Sequence, residues 1–440
     1  MDYDVVGIGF GPANISLAVA LQEMGWGGSV LFLERYATPD WQPGMLLDGT
    51  DIQHHPLRDL VTPRNPQSRY GFLSYLKSRD RLFDFLNLGV EYALRKDYAG
   101  YIRWVAAHFD HWVAYSQSVA SIKLGPSAGE GKERRRIEIR TECGRTIRAR
   151  CVSLAPGRSP LIPAVFAPHL GDRVVHFTGY LGALDRWTGK QPVRSIAVVG
   201  GSQSAIEIVL DLSRRAPGID VHNVQRGFGY HLKDTSPFTE HAYFPDFVDY
   251  FYNSSEPRQQ SITRDLWRSN YGAADHDVIH QLYLALYEQK LGDREAVRLH
   301  TNSDVETVQR EAGGGFRLGL VDRNHDTRRD IGVDAVILAT GFRNCGNGPE
   351  QEPYHPLLAH IAPHARRRDS GSLFVTRDYR LDAAAPPGDL PPIFVNGLCE
   401  STHGFGDAGS FSLLALRSWT IATSIAAAID LEHGKPSWAA

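Results

Sequence analysis

The sequence is short of cysteine, of long apolar runs and of charge excess, and each shortage removes a class of protein. Four cysteines, Cys143, Cys151, Cys345 and Cys399, are scattered through 440 residues, with no CxxC pair. That spacing argues against a zinc site or a dithiol motif, and suits a reducing compartment such as the cytoplasm. No apolar run reaches the ~18 residues of a membrane span. The nearest approach, "LLALRSWTIATSIAAAIDL", carries Arg417 and several hydroxyls and reads as a buried closing helix. The first strand-like run begins at residue 3, so no signal peptide is expected. Lysine plus arginine is 47 against 50 for aspartate plus glutamate, a formal charge of −3. Such a balance gives no reason to expect a nucleic-acid or membrane partner. What remains is a globular chain, 42% apolar and long enough for two or three packed domains.

Two Gly-rich turns stand out in it. "DYDVVGIGF" reads as a strand, Gly9-Phe10-Gly11-Pro12-Ala13-Asn14 as a turn, and "ISLAVALQEMG" as a helix. In a dinucleotide fingerprint the first Gly makes the tight turn and the second admits a pyrophosphate to the helix N-terminus. Gly9 and Gly11 fill those positions, and Asn14 stands where a third Gly is usual. The next strand, "SVLFLER", ends at Glu34, at the spacing of an acid that binds a ribose hydroxyl. A second unit repeats the pattern: "RSIAVV", then Gly200-Gly201-Ser202-Gln203-Ser204, then "IEIVLDLSRR". Here the middle Gly is Ser202, and the following strand ends in Arg226. An arginine there suits a 2′-phosphate, whereas an acid suits a free 2′-hydroxyl. The first unit therefore reads as an FAD site and the second as an NADPH site. The plain alternatives are a ligand-free βα turn and a solvated strand-end arginine.

Two further strands end in small turns, "CVSLAPGRSP" and "DAVILATGFRNC", the latter carrying Thr340. They read as crossings between two nucleotide domains. The predicted fold is α/β: two Rossmann-like domains with a smaller, mostly helical substrate region. Residues 1–190 are expected to hold the first part of the FAD domain, with a charge-rich β-ribbon near 120–154. The run Arg134–Arg136 reads as part of a solvated hairpin. "GKQPV" (189–193) reads as a linker. Residues 191–335 are expected to be the NADPH domain, with a helical insertion near 243–292. Residues 336–440 return to the FAD domain, with a proline-rich loop at 383–392 and the closing helix. No metal-ligand cluster or Ser-His-Asp set is visible.

Over essentially its whole length the chain resembles the flavin-dependent N-hydroxylating monooxygenases, the ornithine and lysine N-hydroxylases of siderophore and related pathways. The segments that carry the likeness include "VVGIGFGPANISLAVAL", "PLRDLVTPRNPQSRYGFLSYL", "VVGGSQSAIE", "SNYGAADHDVI", "DAVILATGF" and "STHGFGD". The resemblance implies that NADPH reduces FAD, that O2 is trapped as a C4a-hydroperoxide, and that a primary amine takes its distal oxygen. The cofactor carries the hard step, and the protein must hold the amine and exclude water. By the same resemblance Trp41, Met45 and Gln53 surround the flavin ring, and Gln203 and Ser204 belong to the NADPH turn with Gly200. Gln53 and Asn270 are the expected catalytic positions, with Asn270 also holding the amine. Thr402, His403 and Asp407 lie in a flavin-proximal C-terminal motif. The family is also expected to form a homo-oligomer, a tetramer or dimer.

Three features depart from the family at the substrate. Arg58 stands where a lysine grips the substrate carboxylate, Glu240 or the adjacent His241 aligns with an asparagine at the amino-acid head, and "HGFGDAGSFSLLALRS" is one residue longer. Arg58 can still bind a carboxylate bidentately. Ornithine or lysine is the default substrate. An acidic amino acid such as aspartate is the rival, since Arg58, Arg64, His54, His55 and Arg268 offer cations for a second carboxylate. A flavin monooxygenase acting on another heteroatom or a ketone, and a nucleotide-binding protein without activity, are the readings from other classes.

Overall fold

The structure is a computed structural model. It describes all residues except 1, 127–134, 190–191, 293, 385–389 and 434–440, and leaves out the side chains of 430–433. Arg134, the middle of the 189–193 linker and half of the 383–392 loop therefore lie outside the described residues.

Two sheets organise the chain, the first mixed and the second parallel. In spatial order the first runs Val113–Ala114, Val30–Leu33, Asp2–Ile8, Thr146–Leu154, Ile137–Thr141 and Val119–Leu124, and the late strand Ile393–Val395 also pairs with Thr146–Leu154. Its central strands pair in parallel, and the expected charged ribbon is the antiparallel flank. "VLFL" is buried throughout, as a parallel strand covered on both faces must be. The helix Pro12–Glu23 is apolar on every side, and a helix of that kind is an interior one. It packs against the closing helix Leu414–His433 in one core with the first sheet.

The second sheet runs Val297–His300, Asp220–Val224, Ser195–Val199, Ala335–Leu338 and Val174–His176, all parallel. Its edge strand comes from before residue 190. Val174–His176 pairs with Ala335–Leu338, and Tyr180 and Trp187 of the following helix are buried with Ile196 and Val209. A three-stranded antiparallel sheet, Ser303–Arg310, Phe316–Asp322 and Arg328–Val333, packs on this half. The expected helical insertion is present as Pro245–Tyr252, Glu256–Asp265 and His276–Gln289. The last of these lies on the helix Gln203–Arg215, and the first two meet the short helix Glu400–His403.

The two crossings lie side by side. Leu161 N donates to Gly341 O at 3.0 Å, Arg343 N to Ser159 O at 2.8 Å, and the Thr340 hydroxyl to Leu161 O at 2.5 Å.

Candidate active site

A cleft of about 1430 Å³ opens between the two halves. Trp41, Met45, Gln53 and His54 line it from the first half. The turn Gly200–Ser204, with Asn270 and Thr340, lines it from the second.

Each Gly-rich turn is shaped by what its glycines touch. Gly9 has φ +81°, and a Cβ there would lie 2.3 Å from Ala155 O. Gly200, at φ +149°, would place a Cβ 2.3 Å from Ala339 O. Both turns thus hug the start of a crossing, and a side chain is excluded by the fold itself. Gly11 differs: a Cβ there would meet nothing within 4 Å. It precedes Pro12, which opens the helix where a missing N–H costs nothing. Open space ahead of a long helix N-terminus is what a pyrophosphate needs.

Asn14 explains why the third Gly is dispensable. Its Nδ2 donates to Gly9 O at 2.7 Å, and its Oδ1 accepts from the Ser153 hydroxyl at 2.7 Å. The side chain ties the turn to the sheet instead of facing outward. Glu34 accepts from Phe10 N at 2.7 Å and Tyr36 N at 2.9 Å, so it also braces the first turn. In the second unit Gln203 is buried, accepting from Asp275 N at 2.9 Å and donating to Glu207 at 3.1 Å. Arg226 lies on the cleft rim, exposed, with Glu350 at 3.1 Å.

Among the described residues, three buried polar atoms of the cleft have no protein partner: His54 Nε2, Gln225 Nε2 and Asn270 Nδ2. Unpaired buried polar groups are costly, so their convergence on one cavity fits bound polar groups there. His54 points its Nδ1 to Ile52 O at 2.8 Å, which leaves Nε2 as the lone-pair end. Burial holds its pKa down to about 3, and the ring stacks on Phe411 at 5.1 Å.

Arg58 and Glu240 meet beside this cleft, Nη1 to Oε2 at 3.0 Å, and Arg58 also reaches Ser412 at 3.3 Å. His403 and Asp407 do not face the cleft. His403 is buried, stacked on Tyr379 at 4.1 Å with Thr402 on its Nδ1. Asp407 is buried with Arg417 at 2.9 Å. Motif position brought these two into the cofactor set, and their side chains prove to be occupied inside the fold.

Sequence reasoning missed the polar ties that join the halves. Arg95 holds Glu207 through two bonds, 2.8 and 2.9 Å, with both side chains nearly buried. Glu400 accepts from Tyr271 at 2.5 Å and from Asn344 at 2.7 Å, and Arg158 donates to Tyr271 at 3.0 Å. These residues lie far apart in sequence, and although Arg158, Glu207, Tyr271 and Asn344 sit in segments singled out above, nothing local marks the contacts between them.

Two nucleotide folds facing one cleft define a two-dinucleotide oxidoreductase. Comparison with known proteins gives the family. The model for L-lysine 6-monooxygenase/L-ornithine 5-monooxygenase matches residues 1–344. The chain is 37% identical to the L-ornithine N(5)-monooxygenase of Burkholderia cepacia, over 91% of this chain and 90% of that one. The ornithine N-hydroxylase KtzI of Kutzneria sp. 744, solved with reduced FAD, NADP+ and L-ornithine, superposes with a TM-score of 0.87. It is 32% identical and covers 97% of this chain and 99% of its own. The L-lysine 6-monooxygenase of Pseudomonas syringae superposes at 0.83, with 35% identity over 97% of this chain and 100% of its own. The chain belongs to the L-lysine 6-monooxygenase/L-ornithine 5-monooxygenase family. It is a flavin-dependent amine N-monooxygenase whose cofactors are FAD and NADP(H). Among the described residues no helix is long and apolar enough to cross a membrane.

Proposed function

We propose that this enzyme hydroxylates the side-chain amine of L-ornithine or L-lysine, with NADPH as reductant and O2 as oxygen donor, for a siderophore or a related natural product. The observation that carries the substrate is the Arg58–Glu240 pair at 3.0 Å. An α-amino acid carries a carboxylate and an ammonium on one carbon. A cation and an anion held together beside the cleft match that head group, Arg58 taking the carboxylate and Glu240 the ammonium. The distal amine is then left to reach Gln53 and Asn270.

The same pair disfavours aspartate. Glu240 repels a second carboxylate and already balances Arg58. Arg64 is held by Glu23 at 2.5 Å beneath Trp419, and His54 is neutral. Of the cations invoked for an acidic substrate, His55 and Arg268 remain, both exposed.

FAD fits the first turn, held by Gly9, Gly11 and Pro12 and braced by Asn14 and Glu34, with Trp41, Met45 and Gln53 toward its ring. NADPH fits the second, held by Gly200, Gln203 and Ser204 with Arg226 at the 2′-phosphate. When bound, FAD reduced by NADPH activates O2 and supplies the oxygen atom. The chain's residues position the amine and exclude water, which favours transfer to nitrogen over loss of oxidant. Neutral acceptors such as Gln53 and His54 hold an amine without imposing the extra proton that a carboxylate would stabilise.

We place the enzyme in the cytoplasm as a homo-oligomer. Exposed Tyr283, Tyr287 and Leu291, on and just after the helix His276–Gln289, offer an apolar face for a second copy. Hydroxylamine assayed over ornithine, lysine, cadaverine and aspartate tests the substrate reading. Product from ornithine or lysine supports it, and product from aspartate alone overturns it.

A further inference from the structure

Asp275 stands at the N-cap of the helix His276–Gln289, where an aspartate ordinarily accepts from the first backbone amides. Here it makes no cap bond. Its carboxylate turns away and accepts from Gln53 Nε2 at 2.5 Å, across 222 residues of sequence. A cap bond is worth ~1 kcal/mol to a helix. A capping residue at the capping position has been diverted from that role to a side chain of the cleft wall.

The contact closes a ring through both halves of the molecule. Asp275 N donates to Gln203 Oε1 at 2.9 Å, Gln203 Nε2 to Glu207 at 3.1 Å, and Arg95 clasps Glu207. Arg95 Nε then donates to Asp51 O at 3.2 Å, and Asp51 Oδ1 accepts from Gln53 N at 2.8 Å. The ring thus leaves Gln53 by its side chain and returns by its backbone. Gln53 itself sits at φ +58°, a left-handed conformation that a non-glycine residue holds only when its surroundings fix it.

Acceptor chemistry decides which way the carboxamide faces. A carboxylate has no hydrogen to give, so the amide end of Gln53 must face Asp275. Gln53 lines the cleft and Asp275 does not. The carbonyl end, Oε1, has no protein partner among the described residues and remains for the cleft. We propose that Asp275 is a positioning residue that locks Gln53 as a hydrogen-bond acceptor toward the cleft, where it receives an N–H of the amine substrate. This rests on the placement of Gln53 in the proposed site. Without Asp275 the carboxamide is free to turn its amide end inward, where it offers the amine a donor in place of an acceptor.

The substitution Asp275→Ala removes one side-chain hydrogen bond, that to Gln53, together with a negative charge that acts on Asp51. The backbone amide of residue 275 keeps its bond to Gln203, and no cap bond exists to be lost. The experiment compares wild type, D275A, Q53A and the double variant as FAD-bound enzymes with L-ornithine. It reads hydroxylamine formed per NADPH consumed, the rate of flavin reduction by NADPH, and Tm. Expected for D275A is a fall of about tenfold in coupling, with flavin reduction within twofold of wild type and Tm unchanged. The double variant should be no worse than Q53A, since two residues acting through one contact are not additive. An additive loss in the double variant, or coupling in D275A equal to wild type while Q53A is impaired, overturns the role of Asp275. A Q53A enzyme as coupled as wild type overturns instead the placement of Gln53.

Discussion

The guanidinium of Arg58 and the carboxylate of Glu240 lie 3.0 Å apart, each about a quarter exposed. Each ion partly satisfies the other until a zwitterion competes for both. Arg58→Ala should raise the KM for the amino acid by roughly 30- to 1000-fold, the effect of ~2–4 kcal/mol for a desolvated charged hydrogen bond. FAD content and NADPH-driven flavin reduction should stay unchanged, and turnover should shift toward H2O2. Steady-state and reductive half-reaction kinetics on one preparation check this, and an unchanged KM would place the carboxylate elsewhere. Glu240→Gln should weaken ornithine binding several-fold and improve acidic substrates, because it removes the repelling charge.

Arg226 ends the second nucleotide unit and stands on the cleft rim with Glu350 its partner at 3.1 Å. Exposed pairs of this kind hold little energy, so a phosphate can displace Glu350 readily. Arg226→Ala should raise the KM for NADPH by about tenfold and leave that for NADH unchanged. Equal effects on both cofactors would remove Arg226 as the discriminator. Lys233 also lines the cleft, but it donates to Gln53 O at 3.3 Å and is already engaged there.

The glycines of the first turn separate folding from cofactor binding. Gly11→Val should give a folded protein that has lost FAD, because its side chain enters space empty of protein. Gly9→Val should fail to accumulate as folded protein, since its Cβ would collide with Ala155 O and its φ is left-handed. Circular dichroism and flavin absorbance on both variants distinguish the two outcomes. Stoichiometric FAD in Gly11→Val would contradict the site.

Burial pushes the Glu400 carboxyl up to about 7, against the opposing pull of Arg158 and its hydrogen bonds from Tyr271 and Asn344. A carboxyl whose folded pKa lies above its unfolded value of 4.5 favours the fold below that value. That contribution is lost as pH rises through about 7. Wild-type Tm should therefore fall relative to Glu400→Gln between pH 5 and pH 8. A Tm difference constant with pH would show that Glu400 stays ionised throughout.

Much of the fold was legible because its causes are local. Apolar runs such as "VLFL" and "AVIL" mark parallel strands covered on both faces, and both Gly-rich turns sit between strand and helix as read. Val174–His176 is three residues long and gains its place in the second sheet from pairing with Ala335–Leu338, which no local pattern shows. Arg58 and Glu240 could each be singled out, and the sequence also allows them to meet as a structural ion pair; the fold sets their 3.0 Å contact across 182 residues. Asp275 read as nothing more than part of a family segment, since an N-cap aspartate and a diverted one are identical in sequence. His403 and Asp407 were assigned by motif, which carries no information on which way a side chain is buried.

The proposed function requires that the cleft deliver one atom of O2 to the side-chain nitrogen of a zwitterionic amino acid. Turnover of L-ornithine and L-lysine under 18O2 with NADPH, followed by mass spectrometry of the product, tests it most directly. The predicted result is a hydroxylamine carrying one 18O on the distal nitrogen, formed with close to one NADPH consumed per product. NADPH consumption that yields only H2O2 with both amino acids, or labelled product from aspartate alone, would contradict it.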